Sequence, residues 1–153
     1  MWQEIYSWSC YRHPNQSITE FNIALDKTLT LIASQNIPCI FAGDLNIDLL
    51  KYETNNDTTQ FVNNLLARNF LPTILMPTRI TNHSATIIDH IYYYEGKHNK
   101  CDFGIKSDNL LADITDHLAN FFVITKKTAK KDLKITLSSD YFLNLMNLNL
   151  VES

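Results

Sequence analysis

The chain has 153 residues, 45% of them apolar and 19% charged, with a formal net charge of −3. That length suits one core and one domain, and the composition is globular rather than disordered. The acidic balance does not advertise nucleic-acid binding, no apolar run is long enough to span a bilayer, and the chain does not open on a signal-peptide pattern.

Residues 5–11, alternating and aromatic-rich, read as a strand that stops at Pro14. Ser17-Ile18-Thr19-Glu20 is a capping-box pattern. Behind it Phe21, Leu25, Leu29 and Ile32 recur at helical spacing, so one helix face packs on a sheet until Asn36 and Pro38 end the helix. Pro38-Cys39-Ile40-Phe41-Ala42 then reads as a strand covered on both faces, ended by Gly43. Strand, helix, strand is a βαβ unit with parallel pairing and a right-handed crossover. Residues 48–56 read as an open loop, and Asp57-Thr58-Thr59-Gln60 as a second cap, with Phe61, Leu65, Leu66 and Phe70 behind it. Pro72 and Pro77 break the chain. Residues 78–81 read as a short strand, 82–84 as a turn, and 85–94 as a β-branched and aromatic strand interrupted by Asp89. Residues 100–106 and 117–125 read as further strands, and 139–151 as a terminal helix.

Three widely spaced cysteines, Cys10, Cys39 and Cys101, read as buried free thiols in a reducing, intracellular compartment, the nucleus included. Residues 1–125 hold 8 Lys/Arg against 13 Asp/Glu, whereas residues 126–134 hold 5 Lys and 1 Asp. That basic run is a solvated linker or a contact for a phosphate backbone. The division expected is therefore a domain over 1–125 and a basic linker with a terminal helix over 126–153.

The chemistry gathers where strands start, stop or are interrupted. Asp44 and Asn46 project from the carboxyl end of a strand, where open α/β sheets place ligands, and supply hard oxygens for a divalent cation. Gly, Asp and Asn are also ordinary turn residues. Asp89 sits in an apolar strand, and a buried carboxylate needs a partner or a metal. His117 is the attractive partner, because a carboxylate behind an imidazole fixes its tautomer and raises its basicity. The alternative is an edge strand with Asp89 in water.

Taken in order, Tyr11-Arg12-His13-Pro14-Asn15, Gly43-Asp44-Leu45-Asn46, Pro77-Thr78-Arg79, Ile88-Asp89-His90-Ile91 and Thr115-Asp116-His117 resemble the endonuclease/exonuclease/phosphatase superfamily. Within it they are most similar to the endonuclease domains of non-LTR retrotransposons. The resemblance covers roughly residues 5 to 125 and implies an α/β fold, the carboxyl half of a four-layer α/β sandwich truncated at its N-terminus. It implies a metal-dependent phosphodiesterase acting on DNA, using Mg²⁺. Asp44 would orient and help deprotonate the attacking water, and Asn46 would hold that site and the scissile phosphate. His117, oriented by Asp89, would stabilise charge on the phosphoryl oxygens, and Tyr11 would contact the phosphate. Asn15, Thr78 and Arg79 would bind phosphate or substrate. Asp44, Asn46 and Asp116 would face the metal. Thr115 stands where the family usually has serine and keeps the hydroxyl. The family's metal-binding glutamate lies upstream of the Tyr-Arg motif, so the ligand set is expected to be incomplete, Mg²⁺ weakly bound and activity impaired. The partners implied are the DNA phosphodiester backbone and, by fusion or association, a reverse transcriptase, with no membrane. A non-catalytic retroelement remnant and a phosphatase for small phosphorylated substrates are the alternatives.

Overall fold

Strands β1 (Tyr6–Ser9) and β2 (Cys39–Asp44) lie parallel on either side of helix α1 (Ile18–Gln35) in the chain, the βαβ unit read from the sequence. The computed structural model describes residues 5–96, 103–111, 115–126 and 135–137. The Ser17 hydroxyl caps α1 by accepting the Glu20 N–H at 3.3 Å. Phe21, Leu25 and Leu29 form its buried stripe. Asn36, left-handed at φ 54°, closes the helix, a conformation asparagine tolerates.

Strand β2 runs to Asp44, two residues beyond the expected stop at Ala42, so Gly43 lies inside the strand. It pairs on its other edge with antiparallel β6 (Asp89–Tyr94). The short β3 (Leu71–Pro72) pairs with β6 in turn, giving the order β1-β2-β6-β3. Pro72 is thus in a strand rather than a break, and it is tolerated because β3 is an edge. Between β2 and β3 the expected open loop holds a single 3-10 turn, Leu49–Lys51. Helix α2 (Asn56–Leu66) starts earlier than read, with Asn55 as its cap, accepting the Thr58 N–H at 3.0 Å. Phe61 and Leu65 bury its inner face, while Leu66 is exposed.

Residues 85–94 form two strands rather than one interrupted at Asp89. The break lies at Ile87 and Ile88, and Asp89 opens β6. The cause is that side chains take the two backbone donors: the Ile87 N–H goes to the Asp48 carboxylate at 3.1 Å and the Ile88 N–H to the Thr78 hydroxyl at 3.1 Å. The remaining piece, β5 (Ala85–Thr86), makes a hairpin with β4 (Arg79–Ile80). A third sheet joins β7 (Phe103–Leu110), β8 (Ala119–Lys126) and β9 (Ile135–Leu137). The strand expected from His117 begins at Ala119, with His117 in an isolated bridge to Arg79. The unforeseen β9 stands inside the stretch read as linker and helix. The helix expected over 139–151 lies outside the described residues.

Alternation along β2 and β6 builds two cores. Cys39, Phe41, Tyr92 and Tyr94 face α1 and α2 with Phe21, Leu25, Leu29, Phe61 and Leu65. Trp8 stacks on Phe41 with ring centroids 4.5 Å apart. On the opposite face Ile40, Ile91 and Tyr93 meet Phe122 of β8, with Ile74 closing the cluster. Among the described residues the layers are therefore helices, the β1-β2-β6-β3 sheet, and the β7-β8-β9 sheet. Cys10 and Cys39 are free thiols, and burial pushes Cys39 up to about 11. Among the described residues no helix is long and apolar enough to cross a membrane.

Candidate active site

The pairing of β2 with β6 sets Asp44 directly opposite Asp89. Directly opposed residues share a face, and both carboxylates lie on the Ile40–Ile91 side, toward the sheet that contains β8. Gly43, one step earlier, must be glycine. A Cβ there would lie 1.7 Å from the Cys10 carbonyl oxygen, because the chain beyond β1 stays close to β2. The Cys10 N–H donates to Ala42 O at 3.0 Å and the Arg12 N–H to Asp44 O at 3.1 Å. The strand end bearing Asp44 is held on both edges.

His117 reaches the same place from the β4 side. The Leu118 N–H donates to Thr78 O at 2.6 Å and the Ile80 N–H to Asp116 O at 2.9 Å, so residues 116–118 run along β4. The Thr115 hydroxyl accepts the His117 N–H at 3.0 Å. The imidazole Nδ1 then lies 2.9 Å from Asp89 Oδ2. Asp44, Asp89 and His117 each offer a ligand atom within 4.8 Å of the others. Thr78, fully buried, accepts the N–H of both Ile88 and Asp89 and so fixes the start of β6.

Burial, and then the negative charge of Asp89, hold the Asp44 carboxyl above its ordinary range, against the opposing pull of the Asn46 N–H, His117 and Arg79. Burial likewise raises Asp89, against hydrogen bonds from Thr78 and His117. Two largely buried carboxylates side by side are a fitting place for a hard divalent cation, which would relieve the penalty on both. Asp44 and Asp89 fit that role from paired strands, with carboxylate oxygens suited to such a cation. His117 keeps its Nδ1 on Asp89, leaving Nε2 to act on a substrate.

The other expected residues lie around this cluster in different states. Asn46, left-handed at φ 50°, donates its N–H to Asp44 Oδ1 at 3.2 Å and its Nδ2 to Arg12 O at 2.9 Å. An amide nitrogen has two hydrogens, so one is still available to a phosphate. Arg79 pairs with Asp116 at 2.7 Å on the surface, and that bond holds Asp116 below the usual carboxylate range. Asp116 is therefore engaged with Arg79 and stands outside the Asp44–Asp89–His117 cluster. Tyr11 is 55% exposed. Asn15 is exposed in a turn and gives its N–H to His13 Nδ1 at 3.2 Å.

Arg12 and His90 are motif residues that received no role from the sequence. Arg12 is 2% exposed and binds the Asp44–Asn46 turn. His90, beside Asp89, points to the opposite face, among Phe61 and Tyr92. Strand alternation was the signal for His90. For Arg12 the only signal was its place in the Tyr-Arg-x-Pro-Asn motif.

A family model described as "Endonuclease/Exonuclease/phosphatase family" matches residues 6–117. No curated protein matches the chain. Among solved structures it is similar to an endonuclease/exonuclease/phosphatase family protein from Bacteroides thetaiotaomicron, at 14% identity and a TM-score of 0.43. That match covers 73% of this chain and 45% of the other, so the chain spans less than half the length of that protein.

Proposed function

The chain belongs to the endonuclease/exonuclease/phosphatase family, and from that premise we propose that it hydrolyses phosphodiester bonds in DNA with the help of a divalent cation, Mg²⁺. Family membership carries the coarser statement, a metal-dependent phosphodiesterase or phosphatase. The observation that supports hydrolysis at this site is the Asp89–His117 pair at 2.9 Å with Asp44 beside it, and the choice of DNA over a phosphomonoester rests on the order of the motifs. The order of the five motifs further supports a relationship to the endonuclease domains of non-LTR retrotransposons, a setting in which association with a reverse transcriptase would follow.

In this reading Asp44 orients a water molecule in line with the phosphorus and accepts its proton. Asp89 holds His117 with Nδ1 inward, and Nε2 donates to the oxygens on which negative charge develops. Asn46 and Arg79 supply further donors at the rim, and Tyr11 is an exposed contact for the phosphate. The cation, held by Asp44 and Asp89, would supply Lewis-acid stabilisation of the phosphoryl oxygens. Two carboxylates leave most of an octahedral shell to water, so Mg²⁺ binding is weaker than micromolar. A micromolar affinity by calorimetry would show a more complete ligand set.

The test is relaxation of supercoiled plasmid with Mg²⁺, comparing the chain with His117→Ala and Asp44→Asn. Nicking that needs Mg²⁺ and drops by at least about 100-fold in both variants supports the proposal. Equal traces in all three would refute it, and turnover of a phosphomonoester without nicking would move the assignment to a phosphatase.

A further inference from the structure

Arg12 is 2% exposed, yet its guanidinium binds carbonyls rather than a carboxylate. A buried charge with such partners is costly to maintain, so what it binds matters. Nε donates to Leu45 O at 2.6 Å and Nη2 to Asn46 O at 2.8 Å. Nη1 donates to Gln16 O, one residue before the cap of α1. The backbone adds two more links, the Arg12 N–H to Asp44 O at 3.1 Å and Asn46 Nδ2 back to Arg12 O at 2.9 Å. Each of the three residues Asp44, Leu45 and Asn46 is thus bonded to Arg12, by one or both of backbone and side chain.

We propose that Arg12 is a positioning residue for the active site, a guanidinium clamp that holds the Asp44–Asn46 turn in the left-handed conformation that aims Asp44 at Asp89 and His117. The proposal rests on the phosphodiesterase reading for its consequence in turnover, though not for the clamp itself. The turn needs such a device. Asn46 sits at φ 50°, which asparagine tolerates without being confined to it, and its N–H closes back on Asp44 Oδ1 at 3.2 Å. Any relaxation of Asn46 therefore moves the Asp44 carboxylate directly. The Leu45 side chain is fully buried, and without the guanidinium its carbonyl would lose the donor the structure provides. The fork is specific to arginine: a planar group with fixed N–H directions can bind the Leu45 and Asn46 carbonyls together, whereas a lysine ammonium at the end of a flexible stem cannot hold both in that geometry. The third arm carries the link to the start of α1, so the site turn is anchored to the helix layer.

The test uses the whole chain with Arg12→Lys, and Asn46→Gly as the milder variant that removes the Nδ2 link while glycine accepts φ 50°. Amide hydrogen exchange in the absence of metal is read at Leu45 and Asn46, with Phe61 and Leu65 of α2 as internal references. Arg12→Lys should raise exchange at Leu45 and Asn46 at least about tenfold over the change at the α2 amides, and Asn46→Gly should raise the same amides less. Mn²⁺ affinity, followed by line broadening at the Asp44 and Asp89 amides, should weaken about tenfold. Plasmid nicking should lose about 100-fold in kcat with KM nearly unchanged, the effect of a misplacement of about 1 Å. Exchange rising uniformly through α2 would make Arg12 a general stabiliser and overturn the clamp, as would no change at residues 45 and 46. If Arg12→Lys does not fold, the Asn46→Gly pattern decides in the same way. A wild-type chain without nicking activity would remove the phosphodiesterase reading while exchange and Mn²⁺ binding still decide the clamp.

Discussion

Asp44 and Asp89 lie opposite each other on paired strands, and like charges in that relation destabilise a sheet. Burial and mutual repulsion raise the folded-state pKa of Asp44, and burial that of Asp89. The sign follows from linkage. The folded protein holds on to protons that the unfolded chain has already released, so stability falls as pH rises through the raised values, and at neutral pH the ionised pair is a cost. Asp44→Asn removes one charge and keeps an acceptor for the Asn46 N–H. With EDTA at pH 7 it should therefore raise Tm by a few degrees, while Mg²⁺ should raise the Tm of the wild type and not of the variant. A lower Tm for the variant in EDTA would remove the repulsion account. A second residue-scale expectation is that Asp89→Asn lowers kcat at least about 100-fold by releasing the imidazole. Nicking at the wild-type rate would show that His117 needs no orienting partner. Asp44, Asp89 and His117 were legible in the sequence because each is a polar group where an apolar strand ends, starts or is interrupted. Arg12 was not, because an arginine next to a proline turn looks like a surface residue, and only the tertiary approach of Leu45 and Asn46 buries it.

Strand β6 shows how one element serves two ends. Asp89 faces the site, and His90, one residue later, is buried among Phe61 and Tyr92 with Nε2 on the carbonyls of Ile47 and Ile87 at 2.9 and 3.1 Å. Those carbonyls are acceptors, so Nε2 carries the hydrogen that the ring donates to them. Burial lowers its pKa to about 4 from 6.5, with the two carbonyls and Asp48 opposing the shift. A base whose folded pKa is depressed contributes stability that is complete above about pH 6.5 and lost as pH falls toward 4, a change of about 3 kcal/mol. The raised carboxylates act in the opposite sense, so the measurement is a difference: urea midpoints from pH 7 to 4 for the wild type and for His90→Phe. The wild type should lose stability more steeply than His90→Phe, and parallel curves would mean that His90 does not titrate with unfolding. At this scale the sequence showed α1 and the βαβ unit well, because a capping box and a helical stripe are local signals. It misread residues 85–94, because an unbroken β-branched run gives no sign that Asp48 and Thr78, far away in the chain, take the N–H groups of Ile87 and Ile88.

At the scale of the molecule the site is a joint between layers. Asp44 and Asp89 belong to the β1-β2-β6-β3 sheet, while His117 lies just before β8 and is carried against β4. The two parts are held together by the cluster of Ile40, Ile74, Ile91, Tyr93 and Phe122, with polar links that include Ser107 Oγ to Thr73 O at 2.7 Å and Asn120 Nδ2 to Asp89 O at 3.3 Å beside the His117–Asp89 bond itself. Sequence patterning could show that β2 and β8 are apolar, but not that they meet, since facing sheets are fixed by contacts distant in the chain. Phe122 is the buried residue of β8 in that cluster, 3% exposed and 5.8 Å from the Tyr93 ring. Phe122→Ala should cost about 3–5 kcal/mol through lost transfer energy and an unfilled cavity. That is a large part of the stability of a single domain, so Phe122→Leu, expected to cost less, is the companion variant. The functional consequence separates a joint from a mere filler. If the cluster sets the distance from His117 to Asp44, then Phe122→Leu should lower kcat about tenfold or more while Mg²⁺ still raises its Tm, because Asp44 and Asp89 remain paired across β2 and β6. A folded Phe122→Leu with wild-type kcat would show that the 116–118 segment is positioned by β4 alone, through its bonds to Thr78 and Ile80.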